Sequence, residues 1–128
     1  MITGLFPATS GECIIYGHPL STELEKARES MGFCPQHNIL FSELTVAEHL
    51  RLFEKIKGIN PTSESIQKRA NDVGIGDKLD TLSGQLSGGM KRKLSIAIAL
   101  CGDTKFVLFD EPTSGLGEYI VETLWNRR

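Results

Sequence analysis

The feature that most constrains the fold is an apolar run that ends at two carboxylates. Residues 106–109 read Phe-Val-Leu-Phe and are followed at once by Asp110 and Glu111. An uninterrupted apolar run of this length is typical of a parallel strand that is covered on both faces. A second short run, Met31–Cys34, is stopped by Pro35 and also predicts a buried strand. Because helical patterns separate the two strands, we predict an α/β fold with a parallel sheet.

Three helical patterns lie between these strands. Thr45 and Glu48 form a capping box at the start of an apolar stripe with helical spacing, and a second helix is predicted to end at Gly74. A third helix begins near Ser87 and is predicted to be largely buried, because apolar residues cover most of its surface. We expect His49 to lie on the surface of the first helix.

Composition narrows the class of protein. The chain has 128 residues, 40% of them hydrophobic and 23% charged, which indicates one globular domain or less. A formal charge of -2 argues against a general nucleic-acid binder. No apolar run approaches the roughly 18 residues of a membrane span. The three cysteines have no CxxC spacing, so they predict neither a disulfide framework nor a structural zinc site, and they fit a reducing compartment.

Two local patterns have plain structural interpretations. Cys34 and His37 have a metal-like i, i+3 spacing, but no second pair accompanies them, and we assign them to a strand end. The basic cluster at residues 91–93 lies in the first turns of the third helix. We expect this cluster to be solvated rather than to bind phosphate or lipid head groups.

Two groups of residues are candidates for phosphate chemistry. In open parallel sheets the ligand lies beyond the carboxyl ends of the strands, where Asp110 and Glu111 are predicted to stand. An Asp there can hold Mg²⁺, and a Glu can orient or deprotonate a water that attacks a phosphate. Ser87, Gly88 and Gly89 would present backbone N–H groups to an anion at a helix N-terminus. Solvent-facing acids and a simple N-cap remain the alternatives for these residues.

The order of these motifs resembles that of ATP-binding cassette (ABC) proteins. Residues 86–93, the apolar helix after them and residues 106–116 resemble the signature motif, the Walker B strand and the D-loop of that family. Residues 34–41 and 44–50 are similar to its Q-loop and to the start of its helical subdomain. The amino-acid sequence of these motifs, including Met90 where most families have Gln, resembles that of subfamily A. The large transporters of this subfamily are associated with lipid export.

The resemblance implies a fold class and boundaries. The chain is identified as a partial ABC nucleotide-binding domain over residues 1–128, with an α/β, P-loop NTPase-like fold. A small helical subdomain would cover about residues 43–100, and the Walker B strand and D-loop about residues 105–118.

The resemblance also implies roles for individual residues. Gln36 would sense the metal and the attacking water, and Asp110 would be the Walker B carboxylate for Mg²⁺. Glu111 would be the general base or would orient the water. Three signature residues would contact the γ-phosphate of ATP held by a different nucleotide-binding domain: Ser87, Gly88 and Gly89. Met90 cannot replace the hydrogen bonds of a Gln, so we assign it to packing.

ATP and Mg²⁺ are therefore the implied cofactors. The implied partners are a second nucleotide-binding domain, the transmembrane domains of the same transporter and, through the parent protein, a lipid substrate. No nucleic acid is implied. The parent would hydrolyse ATP to move lipid, and this segment would lie at the cytosolic face of the membrane.

The sequence departs from the family pattern in two places. No GxxxxGK[ST] phosphate loop (Walker A) exists in the chain, and the nearest string, residues 74–78, has the wrong spacing and is predicted to be a turn. The stretch Thr3–Pro7 resembles the segment that follows the Walker A helix, so we expect the chain to begin just downstream of that loop and to end before the switch histidine. Gly117 stands where the D-loop has Asp, which puts coupling across a dimer in doubt.

These departures leave two further hypotheses. One is a catalytically incompetent, truncated interaction module that docks on a complete nucleotide-binding domain. The other is a soluble ABC ATPase of repair or translation, which the subfamily A wording disfavours.

Overall fold

A computed structural model describes residue 2, residues 7–102 and residues 104–110. The elements follow in the order β1 (Ile14–Ile15), β2 (His18–Pro19), α1 (Leu24–Glu29), β3 (Met31–Cys34), α2 (Val46–Ile56), α3 (Ser63–Asp72), α4 (Gly88–Ala99) and β4 (Phe106–Phe109). Two short 3-10 helices, Gly76–Lys78 and Ser83–Gln85, lie between α3 and α4. The sequence predictions for Glu111 and the D-loop, including Gly117, fall outside the described residues.

The central sheet is formed by two strands that are far apart in the sequence. β3 and β4 pair in parallel, with Met31 opposite Phe106 and Cys34 opposite Phe109. This confirms the predicted parallel pairing. Helix α4 lies directly against β3, since a Cβ added to Gly32 would be 1.9 Å from the carbonyl oxygen of Ala99. A strand and a helix that come this close require a residue without a side chain.

Only one face of β4 is well covered. Val107 and Phe109 pack against the main core, while Phe106 on the opposite face is 37% exposed and its neighbour Phe33 is 45% exposed. Among the described residues, the second face of β4 is therefore only partly covered. An apolar run shows that both faces of a strand can be buried, but it does not show that residues covering the second face are present.

The helix starts follow from local capping. In α2 the Glu48 N–H donates to Thr45 Oγ1 (3.2 Å) and the Thr45 N–H donates to Glu48 Oε2 (2.8 Å), which confirms the predicted capping box. The N-cap of α4 is Ser87, as predicted. Gly74 follows α3 with a φ of +73°, and the short 3-10 helix after it agrees with the turn predicted for residues 74–78.

Helices α2, α3 and α4 enclose the main core with β3. A buried ion pair joins all three helices: Glu54 of α2 is fully buried and its Oε1 lies 2.6 Å from Arg69 Nε of α3. The same guanidinium donates from Nη1 to the carbonyl oxygen of Leu100, at the end of α4 (2.6 Å). Among the described residues, no helix is both long enough and apolar enough to span a bilayer.

Candidate functional site

The parallel register of the sheet brings Gln36 and Asp110 to the same edge. The Asp110 N–H donates to the carbonyl oxygen of Cys34 (3.1 Å), so the ladder continues just past both strands. Gln36 follows Cys34 by two residues, and both Gln36 and Asp110 are exposed. Residues that are 74 positions apart in the sequence thus both follow the carboxyl ends of paired strands.

The donor atoms at this edge suit a hard cation. Asp110 offers carboxylate oxygens and Gln36 an amide oxygen, and Mg²⁺ is commonly held by one or two protein oxygens together with water and phosphate. Over the described residues, no group of three or more His, Cys, Asp or Glu side chains converges on a metal-sized site. The residues therefore fit a Mg²⁺ ion that takes its remaining ligands from a nucleotide and water, rather than an all-protein metal cage.

The N-terminus of α4 has the features of an anion site. Ser87 Oγ accepts from the Met90 N–H (3.3 Å), and the Lys91 N–H donates to the Ser87 carbonyl oxygen (2.9 Å). The N–H groups of Gly88 and Gly89 come before this first helical hydrogen bond, and both residues are exposed. A Cβ added to either glycine would meet nothing within 4 Å, so a phosphate can approach the backbone closely.

Arg92 connects this helix to the loop of residues 35–44, which joins β3 to α2 and is called the Gln36 loop below. Its Nη1 donates to the carbonyl oxygen of Pro35 (2.5 Å) and lies 3.4 Å from that of Gln36. Arg92 is only 7% exposed, so the prediction of a solvated basic cluster is wrong for this residue. The reason is that its acceptors lie on a loop more than 50 residues earlier, which a local charge pattern does not reveal.

The far end of the same loop is held by His49. The Phe41 N–H donates to His49 Nε2 (3.0 Å), and His49 Nδ1 lies 2.9 Å from the carbonyl oxygen of Thr45. Because a backbone N–H can only donate, Nε2 is the acceptor in the contact with Phe41. His49 is fully buried, so the expected surface position is wrong.

Two serines complete the support of the loop. Ser83 Oγ donates to the carbonyl oxygen of Phe41 (2.7 Å), and Ser95 Oγ lies 3.0 Å from Asn38 Oδ1. Sequence reasoning missed both serines, together with Arg92 and His49. Each acts on residues that are remote in the sequence or through backbone atoms, so no periodicity or motif marks it.

Burial disfavours the thiolate form of two cysteines, Cys34 and Cys101. Burial raises the pKa of the Cys34 thiol, and the nearby Arg92 cation offsets only part of that shift. Burial raises the pKa of Cys101 to about 12. Thiolate chemistry at this site is therefore disfavoured.

The same chain matches known proteins over most of its length. The family model "ABC transporter" matches residues 1–114. The chain is 43% identical to human ATP-binding cassette sub-family A member 2, 44% identical to human retinal-specific phospholipid-transporting ATPase ABCA4 and 44% identical to human phospholipid-transporting ATPase ABCA3. Each match covers 98% of this chain but only 5%, 6% and 8%, respectively, of the relative.

Solved structures agree with the described fold. An ATP-binding subunit of an ABC transporter superposes with a TM-score of 0.76 at 27% identity, over 98% of this chain and 53% of that one. A protein from Pyrococcus furiosus described as an ABC transporter ATP-binding protein gives a TM-score of 0.79 at 20% identity, over 98% of this chain and 62% of that one. The second likeness supports the fold alone.

Proposed function

Because this chain belongs to the ABC transporter family, we propose that it supplies part of one ATP-hydrolysing site, and a phosphate contact to a second, in a phospholipid transporter. Two of the relatives that it resembles carry phospholipid transport in their names. The chain spans less than a tenth of the length of those relatives, so the substrate and the complete reaction are part of the proposal.

The observation that carries the proposal is the shared sheet edge of Gln36 and Asp110. A carboxylate and an amide oxygen at adjacent parallel strand ends would hold Mg²⁺, which neutralises charge on the transferred phosphoryl group when it is bound. Glu111 follows Asp110 directly in the sequence, and we assign it the role of accepting a proton from, or orienting, the attacking water.

The signature residues serve the other site. Gly88 and Gly89 offer open backbone N–H groups at the start of α4, and Ser87 adds a hydroxyl. We assign these groups to the γ-phosphate of a nucleotide held mainly by a second nucleotide-binding domain. Transmembrane domains of the same transporter would be the remaining partners.

The test is Mg²⁺-dependent ATP hydrolysis by the longest natural polypeptide that contains this sequence. We expect Asp110→Asn to lower kcat by roughly 100-fold, the scale of losing a key electrostatic group. The matched control is Asp80→Asn, because Asp80 is an exposed Asp outside the proposed site. Wild-type hydrolysis in the Asp110→Asn protein would contradict the assignment.

The substrate is tested separately, after reconstitution into phosphatidylcholine vesicles. We expect ATP-dependent movement of a fluorescent phospholipid between leaflets, and we expect Asp110→Asn to abolish it. ATP hydrolysis that moves no phospholipid would retain the ATPase and overturn the lipid assignment.

The absence of a Walker A string from this sequence favours a second candidate for a 128-residue product acting alone. Such a product would be an interaction module that docks its signature surface on a complete nucleotide-binding domain. Titration of the 128-residue chain with Mg-ATP tests the module. The module predicts no saturable binding below about 1 mM, whereas micromolar binding would contradict it.

A further inference from the structure

We propose that Arg92 is a positioning residue that fixes the Gln36 loop to α4 and thereby ties the placement of Gln36 to the proposed phosphate-binding end of that helix. The contact with the loop stands on the geometry alone. Its consequence for hydrolysis rests on the proposed function.

The backbone carbonyl groups just past the end of β3 need hydrogen-bond donors. The Cys34 carbonyl oxygen accepts the last ladder hydrogen bond, from the Asp110 N–H. The carbonyl groups of Pro35 and Gln36 lie beyond the ladder, and Pro35 is only partly exposed, so its carbonyl oxygen is stabilised by a hydrogen-bond donor. Arg92 Nη1 supplies that partner, at 2.5 Å from Pro35 O.

The stability of the fold does not by itself explain an Arg at position 92. Arg92 Nη2 is buried and has no hydrogen-bond partner, and no described carboxylate forms an ion pair with Arg92. A buried cation without a counter-charge is destabilising, and a well-packed apolar side chain is often as stable or more so. The charge is therefore better explained by what it positions.

Arg92 lies on the same helix as the proposed phosphate-binding residues. It follows Ser87 by five residues, which corresponds to about 7.5 Å along a helix axis. Ser95, one turn later on the same face, also contacts the loop through Asn38. Two side chains of a rigid helix thus hold the loop, so a displacement of the N-terminus of α4 is transmitted to Gln36.

The experiment compares Arg92→Met and Arg92→Lys with Lys93→Met as the matched control, in the longest natural polypeptide that contains the sequence. Met removes the donors without leaving a buried charge, and Lys retains one donor for Pro35 O. Lys93 is a partly exposed neighbour on α4. We expect Arg92→Met to keep the wild-type thermal midpoint and the KM for ATP, while kcat falls about tenfold or more, since small misplacements carry such costs.

The half-saturating Mg²⁺ concentration should rise in the same variant, and Arg92→Lys should restore most of kcat. Lys93→Met should behave as wild type. An unchanged kcat per folded molecule of Arg92→Met would overturn the proposal. If Arg92→Met does not fold, Arg92→Lys decides: full activity with a normal Mg²⁺ dependence supports the tether, and lost activity contradicts it.

A second measurement tests the contact between Arg92 and the Gln36 loop independently of ATP hydrolysis. Amide hydrogen exchange of Asp110, whose N–H donates to the Cys34 carbonyl oxygen beside Pro35, should become about tenfold faster in Arg92→Met than in Lys93→Met, whether or not the protein hydrolyses ATP. Unchanged exchange would overturn the tether itself. Faster exchange in a protein in which Asp110→Asn has no effect on hydrolysis would retain the tether and overturn the proposed function.

Discussion

At the scale of single residues, Gly32 sets how closely the sheet and α4 approach. A methyl group there would lie 1.9 Å from the backbone oxygen of Ala99, and backbone cannot move aside as a flexible side chain does. We expect Gly32→Ala to lower the free energy of unfolding by at least about 1–3 kcal/mol, the usual cost of overpacking. Urea denaturation of the 128-residue chain measures it.

The control for that prediction is Gly89→Ala. A Cβ at Gly89 meets nothing, and Ala favours a helix over Gly, so the unfolding free energy should stay the same or rise. Equal losses in the two variants would show that the close contact is not what limits the position.

The buried Cys101 thiol predicts a pH dependence of stability. Its pKa is raised from an ordinary 9.0 to about 12, so the unfolded chain loses this proton first as the pH rises. The contribution of this thiol to the free energy of unfolding is therefore fully present below about pH 9 and is lost as the pH rises toward 12. Urea denaturation at about pH 8 and pH 10.5 should show a smaller loss of stability in Cys101→Ala than in wild type. Identical losses would contradict it.

At the scale of elements, the sequence predicted what is encoded locally. The capping box of Thr45 specifies where α2 begins, and Ser87 where α4 begins, because each cap bonds residues within three positions of itself. The two strands were also predicted, since apolar runs and Pro35 mark them. These features needed no knowledge of tertiary contacts.

The supports of the Gln36 loop were not predicted, for a physical reason. Arg92 and His49 occupy helix positions that suit solvent equally well, and their partners are backbone atoms of a loop. Backbone acceptors carry no sequence pattern, so burial of these side chains becomes visible only once the helices have packed. Motif resemblance identified Gln36 and Asp110 as candidates, whereas the register of β3 and β4 places them together.

The ion pair between α2 and α3 gives a prediction about how the helices are joined. Glu54 is fully buried and bonds both Arg69 and Ser65. Arg69→Met leaves the buried Glu54 carboxylate uncompensated and should cost roughly 3–5 kcal/mol. Glu54→Gln leaves Arg69, whose side chain is 22% exposed, and should cost less. A double-mutant cycle by urea denaturation should show the double variant losing much less than the sum.

The control cycle uses the exposed pair Glu25 and Arg28 on α1, whose oxygen and nitrogen lie 2.8 Å apart. Coupling there should be about 0–1 kcal/mol, as for other surface pairs. Additive losses at Glu54 and Arg69 would contradict a coupled, buried pair.

At the scale of the whole molecule, the proposed function assigns this chain parts of two sites rather than one complete site. The sheet edge carries the proposed metal ligands, the start of α4 carries open backbone donors, and Arg92 joins the two through the Gln36 loop. Phe33 and Phe106 are an exposed apolar part of the described sheet. Sequence resemblance indicated this division, and the structure supplies the physical connection between its halves.

The central claim, that Gln36 and Asp110 hold one divalent metal beside a nucleotide, is tested most directly by electron paramagnetic resonance of Mn²⁺ in place of Mg²⁺. In the longest natural polypeptide that contains this sequence, we predict ATP-dependent Mn²⁺ binding that Asp110→Asn weakens about tenfold or more and Gln36→Ala weakens less. The Asp80→Asn control should bind as wild type. Equal Mn²⁺ affinity in all four proteins would contradict the claim.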